Sequence, residues 1–306
     1  MLILKFIYLF LSIFVLVKSA DYFTESAEKI GLYFKLPPFV VGITIVSIGT
    51  SLPELVTSVF AMLDKESSIV AGNVIGSNIA NIFLVLGISS IISKGLFTEH
   101  DIMKVDLPIL AASAFFMFMA SQDGIFDFKE GILSIIGLIV YMIYASKSKK
   151  MNFDNIMIEK LELKTPIILI LSIIFVNLSA KYTIINVIEI SKALSIATSA
   201  IAASVVAFGT SLPELMVSIN AAKKGNLEMS IGNVIGSNIF NTFGIAGVAS
   251  LVGNITIDEK TLSLSFPVMI SATLLIVFAL QNKAMSKWVG YIFVLFYVIY
   301  IMELFI

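Results

Sequence analysis

The sequence predicts an all-α membrane protein of ten transmembrane helices, arranged as two inverted five-helix repeats. Three observations lead there. Of 306 residues, 58% are apolar and 13% charged, with a mean hydropathy of +1.01, whereas soluble domains are about half apolar and a quarter charged. Two blocks recur without a gap at an offset of 160 residues: GTSLPELVTS at 49–58 returns as GTSLPELMVS at 209–218, and GNVIGSNIAN at 72–81 as GNVIGSNIFN at 232–241. The apolar runs fall five to each half, and an odd number makes the second copy enter the bilayer from the opposite side.

The ten runs approach the ~20 residues that a helix needs to cross a bilayer. They cover 2–20, 38–63, 68–93, 105–121, 130–146, 164–188, 196–222, 229–253, 261–281 and 286–305. The first and sixth are expected to continue as long helices to about residues 31 and 192, because Asp21, Glu25 and Glu28 share one helical face. Pro37 and Pro38 close off the first. Residues 1–146 then make the first repeat, 147–163 a cytoplasmic linker and 164–306 the second, inverted repeat. A parallel duplication would need an even number of spans per unit. The linker reads as a solvated hinge, too short for a folded regulatory domain.

The opening run has the small residues Ser19 and Ala20 after it, as a signal peptide would, but Lys18 sits where a small residue is wanted at a cleavage site. The pattern Ser-Ala-x-Tyr at 19–22 also returns at 179–182, where it cannot be a cleavage signal, so the first run is expected to stay in the mature fold. All twenty basic residues are lysine. With a net charge of −1 and no basic tract, nucleic acid is not an expected partner. The absence of cysteine excludes disulfides, thiolate ligands and thiol nucleophiles. Placing the N-terminus outside puts thirteen lysines on the inner side and five on the outer, with Lys18 and Lys181 inside long helices and uncounted. Short cytoplasmic loops collect positive charge, so both termini are predicted to be extracellular, in a multi-pass protein of the cell membrane.

The chemistry lies in the four blocks. Among 21 acidic residues only Glu54 and Glu214 fall deep within apolar runs. An ionisable group at the bilayer centre costs about 2.5–3.5 kcal/mol on insertion scales, so it normally faces a partner or a wet cavity. No lysine lies deep in the neighbouring blocks to neutralise either one. Pro53 and Pro213 precede the glutamates and should free the carbonyls near Gly49 and Gly209, since a proline inside a helix removes one hydrogen bond. Such a broken helix survives in a membrane only where it is buried or lines a cavity.

In the second block, Asn73, Ser77 and Asn81 repeat every four residues, as do Asn233, Ser237 and Asn241, so each set forms one polar stripe. Asn73 and Asn233 fit packing amides and ion ligands equally well, whereas Ser77, Asn81, Ser237 and Asn241, nearer the segment centres, are better ligand candidates. Gly72 with Gly76, and Gly232 with Gly236, present small-residue faces for close helix approach. The donors are carboxylates, amides, hydroxyls and freed carbonyls, all hard oxygens. They suit calcium, with its 6 to 8 oxygen ligands, better than magnesium. The single histidine, His100, reads as an ordinary surface residue in a charged loop.

The doubled GTSLPE and GNVIGSN motifs, in five-plus-five inverted repeats, resemble the sodium/calcium exchangers of the cation/calcium exchanger superfamily, in their short prokaryotic form. The resemblance covers nearly the whole chain. It implies ion sites enclosed by the second, third, seventh and eighth helices, with the long first and sixth helices moving across them to alternate access. By motif, the implied ligands are Thr50, Ser51, Glu54, Ser77 and Asn81, then Thr210, Ser211, Glu214, Ser237 and Asn241, with backbone oxygens near Ser47 and Ala207 adding to the sodium sites. Similar exchangers often carry Asp at one of the positions held here by Asn81 and Asn241. Asn at both leaves a formal site charge of −2, which fits one calcium and speaks against potassium co-transport.

The expected function is therefore an antiporter exchanging sodium for calcium at the bilayer midplane, not an enzyme, acting as a monomer without a cofactor. A calcium/proton antiporter, with a proton on Glu54 or Glu214 as counter-ion, remains an alternative. A cation channel fits less well, because one chain supplies both halves of the site whereas filters usually lie on a subunit axis. An intramembrane hydrolase lacks a His-Glu-x-x-His motif and any identified nucleophile.

Overall fold

A computed structural model describes residues 2–147, 161–193 and 210–304. The helices are α1 (Leu2–Tyr33), α2 (Pro38–Thr50), α3 (Leu52–Leu63), α4 (Ser67–Ile92), α5 (Asp106–Ala120), α6 (Phe128–Ser146), α7 (Lys164–Ala193), α8 (Leu212–Lys223), α9 (Leu227–Val252), α10 (Thr261–Leu280) and α11 (Lys287–Leu304). Seven of these are long and apolar enough to cross a membrane. The pair α2–α3 makes an eighth span bent by 42°, and α5 is a shorter apolar helix. The seventh expected span, 196–222, lies partly outside the described residues, as does most of the 147–163 linker. The ends of the others fall within about two residues of the expected spans, with the first and sixth continuing as long helices to Tyr33 and Ala193.

Each half departs from helix where its sequence weakens the backbone ladder. Ser51 leaves helical geometry at φ −87°, ψ 6°, and α3 restarts with Pro53 in its first turn. Proline cannot donate to the carbonyl four residues back. The carbonyl released is that of Gly49, and the Asn177 amide of α7 reaches it at 3.5 Å. Further along, Asn81–Leu86 in α4 and Phe240–Ile245 in α9 widen into π-helical turns. The two widenings fall at nearly equivalent places in the two halves, and such bulges often mark functional sites.

The core is built on α4 and α9, most of whose residues are buried, while α1, α6, α7, α10 and α11 expose apolar faces. The glycine face of α9 meets α2 backbone to backbone. A Cβ on Gly236 would fall 2.6 Å from Ile43 Cα, and one on Gly232 would overlap the Phe39 carbonyl. The long helices α1 and α7 lie along one another, joined by a 3.0 Å bond from Thr183 Oγ1 to Ser12 Oγ and a 3.3 Å ion pair of Lys5 with Glu189.

The fold is all-helical, and among the described residues four two-residue strands join its loops: β1 (Leu96–Phe97), β2 (Ile125–Phe126), β3 (Ile255–Thr256) and β4 (Ala284–Met285). They are too short to leave a periodic signal. Here the repeat offset has slipped from 160 to 159, so β1 corresponds to β3 and β2 to β4. Yet β1 pairs antiparallel with β4, and β2 with β3. Each pair thus joins one half of the chain to the other.

Candidate ion-binding site

Glu54 lies in the first turn of α3 and Glu214 in the first turn of α8. There the unpaired amide ends of a helix favour negative charge. Both are 1% exposed. An amide from the second block braces each turn. Asn73 Nδ2 donates to the Glu54 carbonyl at 3.2 Å and to Ser58 Oγ at 3.0 Å. Asn233 Nδ2 does the same to the Glu214 carbonyl at 3.4 Å and Ser218 Oγ at 2.9 Å. Sequence alone left these two amides between glue and ligand, and in the fold they hold the glutamate-bearing turns.

Side chains of all four blocks meet across the two halves. Ser51 Oγ donates to Glu214 Oε1 at 3.0 Å, and Thr50 Oγ1 to Asn233 Oδ1 at 3.4 Å. The hydroxyls of Ser77 and Thr210 lie 3.2 Å apart, and Ser237 Oγ donates to Asn233 Oδ1 at 3.5 Å. The Ser47 carbonyl accepts the Ser51 amide at 3.0 Å and the Thr50 hydroxyl at 3.3 Å, next to the same cluster. Ala207 lies outside the described residues.

Several buried oxygens of the four blocks have no hydrogen-bond partner among the described residues. They are both carboxylate oxygens of Glu54, Oε2 of Glu214, Oδ1 of Asn81 and of Asn241, and the Ser211 hydroxyl. A buried polar atom left unmet costs about 1–3 kcal/mol, and more when it is charged. No lysine is buried among the described residues. Nor do three or more His, Cys, Asp or Glu gather there in a group that could hold a metal. What gathers instead is a set of hard oxygens with two negative charges, the donor type suited to an alkali or alkaline-earth cation.

Three features escaped the sequence reading. Asp106, at the start of α5, is fully buried, so the buried acids among the described residues are Glu54, Glu214 and Asp106. Tyr141 donates to its Oδ1 at 3.0 Å, and His100 Nε2 lies 3.2 Å from its Oδ2. His100 is therefore no ordinary surface residue: its ring stacks on Phe39 with centroids 4.4 Å apart, and its backbone N–H donates to Glu228 at 3.0 Å. An acid at a segment end looks like a headgroup-level residue until the fold brings Tyr141 over it. Third, Asn78 and Asn238, one residue beyond Ser77 and Ser237, link the halves. Asn238 Nδ2 donates to the Asn78 carbonyl at 3.1 Å, and Asn78 Nδ2 to Thr242 Oγ1 at 2.8 Å. The repeated asparagine was visible as a signal for that role.

This fold and cluster define the class: an all-helical membrane protein with a buried, oxygen-lined, doubly acidic centre. The sodium/calcium exchanger protein family matches residues 4–147 and 164–305, and the chain belongs to that family. It is 33% identical to the sodium/calcium exchanger MaX1 of Methanosarcina acetivorans, over 100% of this chain and 99% of the relative. It is 36% identical to the uncharacterized membrane protein MJ0091 of Methanocaldococcus jannaschii, over 99% of both chains. A structure of the sodium-calcium exchanger NCX_Mj soaked with 2.5 mM Na+ and 0.1 mM Ca2+ superposes with a TM-score of 0.87, at 32% identity and 99% coverage of both chains.

Proposed function

We infer that this protein exchanges sodium for calcium across the membrane by alternating access, with the ions held between two inverted five-helix repeats. Membership of the sodium/calcium exchanger family carries the choice of ions. The observation that carries the site is the pair of buried glutamates, three of whose four carboxylate oxygens have no partner among the described residues. Either one calcium or several sodium ions could balance those two charges. Occupancy that excludes the other ion is the physical basis of exchange.

The ligands in this reading are Thr50, Ser51, Glu54, Ser77 and Asn81 from the first repeat and Thr210, Ser211, Glu214, Ser237 and Asn241 from the second. Backbone oxygens near Ser47 and Ala207 complete the set. Inversion is supported by the strand pairing. β1 and β2 flank the 15-residue helix α5, about 22 Å long, and so lie toward its opposite ends. Because β3, the counterpart of β1, pairs with β2, equivalent strands sit at opposite ends of the molecule. Both termini then face outward and the 147–163 linker lies in the cytoplasm, with the chain acting as a monomer and needing no cofactor.

The test is calcium-45 uptake by proteoliposomes under an outward sodium gradient. Uptake that follows the sodium gradient supports the reading. Uptake that follows a pH gradient and ignores sodium would assign the proton as counter-ion, and sustained single-channel currents would replace the antiporter with a channel.

A further inference from the structure

Resting on the alternating-access reading above, we propose that Asp21–Lys224 and Asp64–Lys181 are reciprocal ion-pair latches, one closed in each of the two access states. The pairs are repeat counterparts with the charges exchanged. Asp21 in α1 corresponds to Lys181 in α7, and Asp64 after α3 corresponds to Lys224 after α8, both at the offset of 160 that relates the four blocks. One pair is closed. Lys224 Nζ lies 3.3 Å from Asp21 Oδ1 and donates to the Asp21 carbonyl at 3.2 Å. The other is open: among the described residues neither Asp64 nor Lys181 has a side-chain partner, and both are exposed.

The packing around the two pairs differs in the same sense. α1 is seated on α8, where Asn220 Nδ2 donates to the Val17 carbonyl at 3.4 Å. The counterpart flank of α3 is uncovered. Phe60 is 60% exposed where Asn220 is 6%, and Leu52 is 37% exposed where Leu212 is 7%. In an inverted duplication, the opposite-facing state follows from each half adopting the other's arrangement. That exchange lifts α1 from α8, lays α7 along the bare flank of α3 and brings Lys181 to Asp64. In the proposed orientation Lys224 is cytoplasmic, so the structure has its inner latch closed.

No functional ligand is borrowed by this device, since none of the four residues touches the ion cluster. An exposed ion pair is a weak latch, able to shift a two-state ratio by up to about five-fold. That suits a carrier that must pass through both states on every cycle.

Because the chain has no cysteine, two engineered pairs can be probed without background. D21C/K224C and D64C/K181C are made separately in the full chain, reconstituted, and treated with a short reducible thiol cross-linker under opposing sodium and calcium gradients. Both pairs are expected to cross-link, each arresting calcium-45 flux until reductant is added. Failure of D64C/K181C to cross-link under any gradient, in folded protein whose uncross-linked form still carries sodium-driven calcium flux, would overturn the proposal. Cross-linking without any sodium-driven flux in the native chain would instead overturn the exchanger reading and leave the reciprocal contact standing. As a second arm, Lys181→Asp should slow exchange by up to about five-fold and Asp64→Lys should restore it; an unchanged rate in K181D would remove the latch role.

Discussion

The Ser51 hydroxyl donates to Glu214 Oε1 at 3.0 Å, so the bend in the first half of the chain holds the carboxylate of the second. The reverse bond is missing. Ser211, the counterpart of Ser51, has an unpartnered hydroxyl, and neither oxygen of Glu54 is bonded among the described residues. Two glutamates that are equivalent in sequence are thus unequal in structure. Ser51→Ala should therefore weaken calcium binding more than Ser211→Ala, by about 1 kcal/mol or roughly five-fold, the worth of one hydrogen bond. Calcium dependence of exchange, measured for both variants in proteoliposomes, gives the comparison; equal effects would contradict it.

Glu54→Gln and Glu214→Gln each remove one of the two negative charges that hold the ions in the proposed site. Calcium affinity in oxygen sites varies over decades with ligand charge, so each variant should lose exchange by on the order of ten- to a hundred-fold. Folding should be retained, because a buried charge is also removed. Wild-type exchange in either folded variant would refute the assignment.

The bracing amides answer to stability more than to ion binding. Asn233→Ala deletes the bonds to the Glu214 carbonyl and Ser218, and Asn73→Ala those to the Glu54 carbonyl and Ser58. Each should lower stability by about 0.6–2 kcal/mol, the range for interhelical polar contacts in membranes. Unfolding in detergent, followed with and without calcium, separates this loss from a change in ion affinity.

Gly236 sets how closely α9 approaches α2. A methyl group there would lie 2.6 Å from Ile43 Cα and 2.7 Å from Ser47 Oγ, so Gly236→Ala must push the two helices apart at a cost of about 1–3 kcal/mol. Because Ser47 and Thr50 ride on α2, exchange should fall together with thermal stability. A stable, fully active G236A protein would show that the helices can give way freely.

Asp106 depends on Tyr141 and His100 for its burial. Tyr141→Phe should destabilise the fold by about 1–3 kcal/mol, because it leaves a buried carboxylate oxygen unmet. The double change Tyr141→Phe with Asp106→Leu should recover part of that loss, and a urea or thermal series on the purified protein measures both.

Much of this was legible because the signals were local. Pro53 beside Glu54 foretold the broken span, and the four-residue spacing of Asn73 and Ser77 foretold that α4 would turn polar groups toward the GTSLPE blocks. The doubled blocks marked which helices would converge. What stayed hidden depends on partners distant in the chain. Asp106 looked like a surface acid because Tyr141 lies 35 residues away. His100 looked solvated because only the fold lays it on Phe39. Asn177 was one more polar residue in a long helix until it met the carbonyl freed by Pro53. The unequal bonding of Glu54 and Glu214 could not be read from two nearly identical motifs, since it arises from how the halves sit against each other.

The crossed strand pairs bear on how such a molecule is assembled. Among the described residues β1 pairs with β4, and β2 with β3, so a ribosome releasing the first 146 residues has made a piece with two raw strand edges and with Glu54 lacking its counterpart Glu214. Severing the chain between 147 and 163 should yield fragments that are unproductive alone and complementary together, and co-translating them from two messages would reconstitute the carrier as a heterodimer.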